Sequence, residues 1–152
     1  MNNDIVIIAH NIRSLWNIGA VFRSADAFKV SHIHLTGYTA APPRKEISKT
    51  ALGAEMTIPW SVEKDPVEVI RQRRKEGFLI VSLESTESSV PLKDFRAQKP
   101  VCLILGHEIL GVEKELMTLS DVTVHIPMLG AKHSLNVSVA TGIALYQIRS
   151  CC

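Results

Sequence analysis

An α/β fold, with a mainly parallel sheet covered by helices on both faces, is what this sequence predicts. Three observations carry that expectation. Strand-like apolar runs take turns with helix-like segments along the 152 residues. The runs are apolar along their whole length rather than at alternate positions, as strands buried on two faces are. No repeat, low-complexity stretch or long linker divides the chain, so residues 1–152 are expected to form a single domain.

Residues 4–9 read as the first buried strand. Ile18, Val21, Phe22, Ala25 and Phe28 then recur at spacings of three and four, one apolar face of a helix, with Asn17 suited to cap its start. Residues 32–36 form a short second strand, and residues 42–54 a loop running into a short helix closed by Gly53. Residues 55–60 are expected to be another short strand. Asp65, Pro66 and Glu68 occupy N-cap, first-turn and N3 positions of a helix that Gly77 closes. Strands over 78–83, 101–105 and 122–126 follow, with a short helix over 112–119 and a last helix over 137–149.

Composition excludes several classes. Hydrophobic residues are 46% and charged residues 21%, which argues against disorder. No apolar run approaches the ~20 residues of a membrane-spanning helix. The N-terminal MNNDIVIIAHN lacks the basic lead-in of a secretion signal. Cys102, Cys151 and Cys152 give no disulfide framework and no zinc spacing, so no metal and a cytoplasmic location are expected. The net charge of +2 is a weak pointer to an anionic partner. Arg13, Arg23, Arg44, Lys45 and Lys49 gather in the first third, whereas Arg71, Arg73, Arg74 and Lys75 read as a helix C-terminus complementing its dipole.

Ligands in such sheets bind beyond the strand C-termini, here residues 9–17, 106–111 and 127–136. In the first loop, Arg23 follows a helix start and suits a phosphate; its plain reading is a surface ion pair. In the second, Gly106 and Gly111 flank Glu108, a carboxylate able to bind a hydroxyl or orient another side chain, or simply a solvated turn residue. The third glycine of a dinucleotide fingerprint and the Gly-Lys-Ser/Thr of a P-loop are both missing. In the third, Ser134, Asn136 and Ser138 are more polar groups than one helix cap requires, while His133 reads as an exposed loop residue.

NIGAVFRSADAF (residues 17–28), LILGHEILGV (103–112) and IPMLGAKHSLNVSVATGIAL (126–145) together resemble the three motifs of the SpoU/TrmH family of the SPOUT superfamily. KTALGAE, residues 49–55, is similar to the segment that joins the first two. The resemblance covers nearly the whole chain, so residues 1–152 are expected to be the methyltransferase domain of that family without the RNA-binding extension that some members carry. It implies an α/β domain with a deep C-terminal trefoil knot, S-adenosylmethionine held in a bent shape, a homodimer, and transfer of a methyl group to a ribose 2′-hydroxyl of tRNA or rRNA. Position by position, Arg23 and Asn17 match the first-motif pair assigned to catalysis, Glu108 the acidic residue of the second, and Ser134 and Asn136 the pair of the third. The cofactor would be held at Leu83, Glu84, Gly106, Gly111, Ile126, Met128 and Leu135, largely through backbone groups. RNA contacts are expected from Arg13, Arg44 and Lys49. The alternatives are a base-directed methyltransferase of the same superfamily and a non-catalytic RNA-binding module; the former is disfavoured by Ser-Leu-Asn and Arg23, the latter by the presence of all five motif residues.

Overall fold

The computed structural model describes residues 3–151. In chain order its strands are β1 (Ile5–His10), β2 (His32–Thr36), β3 (Trp60–Glu63), β4 (Leu79–Leu83), β5 (Val90–Pro91), β6 (Val101–Leu105) and β7 (Val122–His125). Its helices are α1 (Leu15–Ala27), α2 (Lys45–Ala51), α3 (Pro66–Lys75), α4 (Lys114–Leu119) and α5 (Val137–Ser150). The strands pair in the order β3-β2-β1-β6-β4-β7-β5, every pair parallel. The expected parallel α/β architecture is therefore the one observed.

The two faces of the sheet bury different side chains because successive residues of a strand point to opposite sides. Ile5, Ile7 and Ala9 of β1, with Leu103 and Leu105 of β6, pack under α1, α2 and α5 through Ile18, Phe22, Ile47, Ala144 and Ile148. Val6, Ile8, Cys102 and Ile104 face the other way, against Val69 and Ile70 of α3 and Leu116 of α4. Phe22 is fully buried, and truncating such a ring to alanine typically costs about 3–5 kcal/mol. Helices α1 and α2 approach closely at Gly19: a Cβ there would lie 2.0 Å from Thr50 Oγ1 and 2.2 Å from the Ile47 carbonyl oxygen. Gly19 thus serves the packing of α1 on α2.

Several boundaries differ from expectation. Ser14, not Asn17, caps α1: its hydroxyl accepts from the Asn17 N–H at 3.2 Å. Asn17 sits inside the first turn, and Arg23 falls in the third. Residues 55–60 are not a strand. Leu52 and Gly53 both take positive φ (51° and 94°) and reverse the chain into a 3-10 turn, Ala54–Met56, so the strand begins only at Trp60. The helix expected over 112–119 starts at Lys114: Glu113 takes the N-cap position with a non-helical ψ of 142°. Strand β5 was not expected; its two residues are too few to show any periodicity, and Pro91 is tolerated at the sheet edge.

At the opposite edge, β2 and β3 share a polar network. Glu63 Oε1 lies 3.0 Å from His34 Nδ1 and accepts from the Ser61 hydroxyl, and Arg73 donates its Nε–H to His34 Nε2 at 3.1 Å. Burial, above all, lowers the pKa of both His32 and His34 from the usual histidine value. Arg73 also pairs with Glu76, Arg71 with Glu68 and Arg74 with Asp121, so the basic end of α3 is spent on its own surroundings.

Candidate active site

Strand order reverses direction around β1 and β6, and the loops leaving the C-terminal ends of the strands gather there. Strand β6 ends in buried Gly106, and the following turn folds back so that His107 and Gly111 exchange backbone hydrogen bonds. His107 Nδ1 accepts from the N–H groups of Ile109 and Leu110, both at 3.0 Å. Two glycines make this turn possible. A Cβ on Gly106 would stand 2.4 Å from the Gly111 backbone, and one on Gly111 (φ 73°) would stand 2.0 Å from Glu84 Oε2. That Glu84 oxygen accepts from the Val112 N–H at 3.0 Å, tying the end of β4 to the end of the turn.

The same turn is tied to α1 by Glu108. Its Oε2 accepts from the Arg13 N–H at 3.0 Å; its Oε1 accepts from the Ser14 N–H at 3.0 Å and from Asn17 Nδ2 at 3.2 Å. A carboxylate on the unpaired N–H groups of a helix start meets both hydrogen-bond demand and dipole. Burial raises the Glu108 pKa, but the N–H groups of Ser14, Arg13 and Glu108 itself, with Asn17, together bring it below the usual carboxylate value. Two of the expected catalytic residues, Asn17 and Glu108, are thus joined to each other.

A cleft opens between these loops. Leu83, Leu105, Ile126, Leu135, Val137 and Ala140 give it apolar walls, and Ser85, His107, His133 and Ser134 a polar lip. All seven positions expected to hold a cofactor line it, as do Ser134 and Glu108. No lysine or arginine is among its lining residues, whereas Glu84 and Glu108 are. His133 is exposed, as expected, yet it borders the cleft beside Ser134. Asn136 caps α5, its Oδ1 accepting from the Ser138 N–H at 2.8 Å. Sequence reasoning missed His107, Ser85 and Val137; their adjacency to motif residues was the one available signal.

The cations lie outside the cleft. Arg13 and Arg44 share a groove with Trp16, and this groove meets the cleft at His107, Glu108 and Ile109. Arg23 and Lys49 share another hollow with Thr50, Ser138 and Val139. Arg23 is therefore separated from Ser134 rather than set beside it in one pocket, and among the described residues it has no hydrogen-bonded or ion-paired partner.

The model of the SpoU rRNA Methylase family matches residues 4–146. This chain belongs to that family. The SpoU-family chain is 32% identical over 145 residues to the tRNA (guanosine(18)-2′-O)-methyltransferase of Aquifex aeolicus, an alignment covering 95% of this chain and 68% of that protein. Among solved structures it superposes on the AdoMet-bound rRNA methyltransferase from Sinorhizobium meliloti with a TM-score of 0.91 at 30% identity, covering 99% of this chain and 57% of that one. For the SpoU methyltransferase AviRb from Streptomyces viridochromogenes, solved with the cofactor AdoMet, the TM-score is 0.86 at 27% identity, over 97% and 60% of the two chains. This SpoU-family chain thus spans about three fifths of those two solved chains.

Replacing Glu108 by Gln in this SpoU-family protein is expected to cost about 1 kcal/mol of stability at neutral pH, as loss of a helix cap does. Because the folded carboxyl pKa lies below its ordinary value, the advantage of the native residue holds above that ordinary value. It should fade as pH falls through the lowered one. Denaturant unfolding of both proteins between pH 7 and pH 3 measures this.

Proposed function

We propose that this protein transfers a methyl group from S-adenosylmethionine to a ribose 2′-hydroxyl of tRNA or rRNA. The observation that carries the reading is a difference in lining: the cleft has Glu84 and Glu108 and no lysine or arginine, whereas Arg13, Arg44, Arg23 and Lys49 stand in the adjoining grooves, with Glu46 beside Arg44. A cationic sulfonium with an apolar adenine suits the former, and an anionic RNA backbone the latter. Relatives named as RNA 2′-O-methyltransferases, and neighbours solved with AdoMet, support the same assignment.

S-adenosylmethionine supplies, when bound, an activated methyl on a good leaving group. The walls formed by Leu83, Ile126, Leu135 and Ala140 would enclose its apolar part, and Ser134 on the lip would face the acceptor ribose. Holding acceptor and donor in line can be worth roughly 7–11 kcal/mol. Asn136 is spent on capping α5 through Oδ1, which fixes the start of the helix beside Ser134. Asn17 positions Glu108, and through it the 106–111 turn, rather than reaching the substrate. The planar fork of N–H donors on Arg23 suits it to hold the RNA phosphate rather than to act as the base.

A homodimer in the cytoplasm completes the reading. Val139, Ile143 and Tyr146 recur along one face of α5 and stay 51%, 41% and 63% exposed, an apolar stripe beside the Arg23 hollow. A second subunit seated there would bring Arg23 to a neighbouring cleft. Among the described residues no helix is long and apolar enough to cross a membrane. The C-terminal knot belongs to the same proposal; its support is that residues 126–135 run past the ends of β4 and β6 before α5 returns to the α1 face.

Purified protein incubated with tritiated S-adenosylmethionine and total RNA, followed by nuclease digestion and nucleoside mass spectrometry, is expected to yield a 2′-O-methylated nucleoside. Arg23→Ala should abolish it, while Arg23→Lys should keep substantial activity. Methyl on a base, or none at all with RNA still bound, would overturn the proposal. Sedimentation is expected to show a dimer that Ile143→Asp dissociates; an unchanged wild-type monomer would remove the dimer from the reading.

A further inference from the structure

Trp16 is a large aromatic ring left 48% exposed in the first turn of α1. Its place is fixed from behind, where the Thr50 hydroxyl donates to the Trp16 carbonyl at 2.8 Å. The ring stands in the groove of Arg13, Arg44 and Ile109, and Lys49 Nζ lies 5.6 Å from the ring centroid. Ile109, on the tip of the 106–111 turn, is 81% exposed and borders both this groove and the cleft. Nothing in the fold needs an indole here: the side chain fills no core, and Glu108 and Ser14 already secure the helix start.

Resting on the methyl-transfer reading above, we infer that this groove holds an unpaired nucleotide next to the methylated one, its base stacked on Trp16. The chemistry of the groove selects that occupant. An aromatic platform among cations is how proteins take bases that have left a duplex: the ring accepts the flat face of any base and the cations take the phosphates on either side. Glu46 and Glu108 are the acids of the groove. Glu46 lies 4.0 Å from Arg44, and both Glu108 oxygens accept from the start of α1, so Arg13 and Lys49 are left beside the ring as cations without an ion-paired partner among the described residues. The groove adjoins the cleft at His107, Glu108 and Ile109, so a base stacked on Trp16 would neighbour a ribose at the Ser134 lip. Ile109 then stands as an apolar wedge between the two positions. It follows that the acceptor must be single-stranded on one side of its target, in a loop, bulge or end.

The chain has two tryptophans, so a Trp60→Phe protein leaves Trp16 as its one indole reporter. Titrating that protein with a nine-nucleotide mixed-sequence oligoribonucleotide is expected to quench the Trp16 emission, and the same strand in a duplex to leave it largely unchanged. In the otherwise native protein, Trp16→Ala should weaken affinity for total tRNA and raise its KM roughly 5- to 150-fold. Trp16→Phe should recover most of that, with the affinity for S-adenosylmethionine unchanged in both. Equal quenching by single strand and duplex, or an RNA affinity within twofold of native in Trp16→Ala, would overturn the inference. So would a change in oligomeric state in place of RNA affinity, which would assign the ring to a protein contact. Because the quenching does not need turnover, loss of methyl transfer in the native protein would count against the proposed reaction and not against the stacking.

Discussion

The carboxylate of Glu108 is the interaction on which the arrangement of the site depends. It leaves the turn after β6 and meets the start of α1, satisfying two backbone N–H groups and the Asn17 amide at once. The helix start and the turn are far apart in sequence; parallel pairing of β1 with β6 brings them side by side, and Glu108 locks them together there, as Glu113 does by reaching His10 and Asn11. Glu84 repeats the device one strand over, joining the end of β4 to Val112. The strand ends are thereby braced sideways as well as by the sheet, and the space between them stays open instead of collapsing. Gly106 and Gly111 are the steric condition for both braces, since a side chain at either would strike the loop or Glu84 itself.

With the strand ends braced, the protein separates charges that would otherwise cancel. Glu84 and Glu108 line the cleft as hydrogen-bond acceptors, and Arg13, Arg44 and Arg23 stand in the grooves outside it. A sulfonium cofactor and a polyanionic substrate need opposite environments within one nucleotide of each other. An acceptor carboxylate held by N–H donors gives the inner region its negative character at little desolvation cost, because its hydrogen bonds replace those of water. The basic end of α3, which looks similar in sequence, takes no part: Arg71, Arg73 and Arg74 are paired locally on the far face.

Most of the fold was legible in the sequence because it rests on long apolar runs, such as IVIIAH of β1 and VCLIL of β6, whose burial leaves few alternatives. What escaped was short or set by a single contact. The 3-10 turn at Ala54–Met56 depends on Leu52 and Gly53 taking positive φ, and β5 is two residues long. The site was legible as a set of motif residues, and less so as a geometry. Sequence brought Arg23, Asn17, Glu108, Ser134 and Asn136 forward as one group. The structure divides them into an Asn17–Glu108 brace, a Ser134 lip with its Asn136 cap, and an Arg23 that looks toward the exposed face of α5. Spacing along a chain cannot reveal such a division, because partners of a brace and ligands of a substrate are the same residue types.

The cleft whose lining has no lysine or arginine is the expected binding site of S-adenosylmethionine. Calorimetric titration of the native protein, Ala140→Trp and Arg23→Ala with that cofactor tests it most directly. Ala140 lines the cleft wall and Arg23 lies outside it. The account predicts binding to the native and Arg23→Ala proteins with similar affinity and none to a folded Ala140→Trp. Undiminished binding to Ala140→Trp, or none to the native protein, would contradict it.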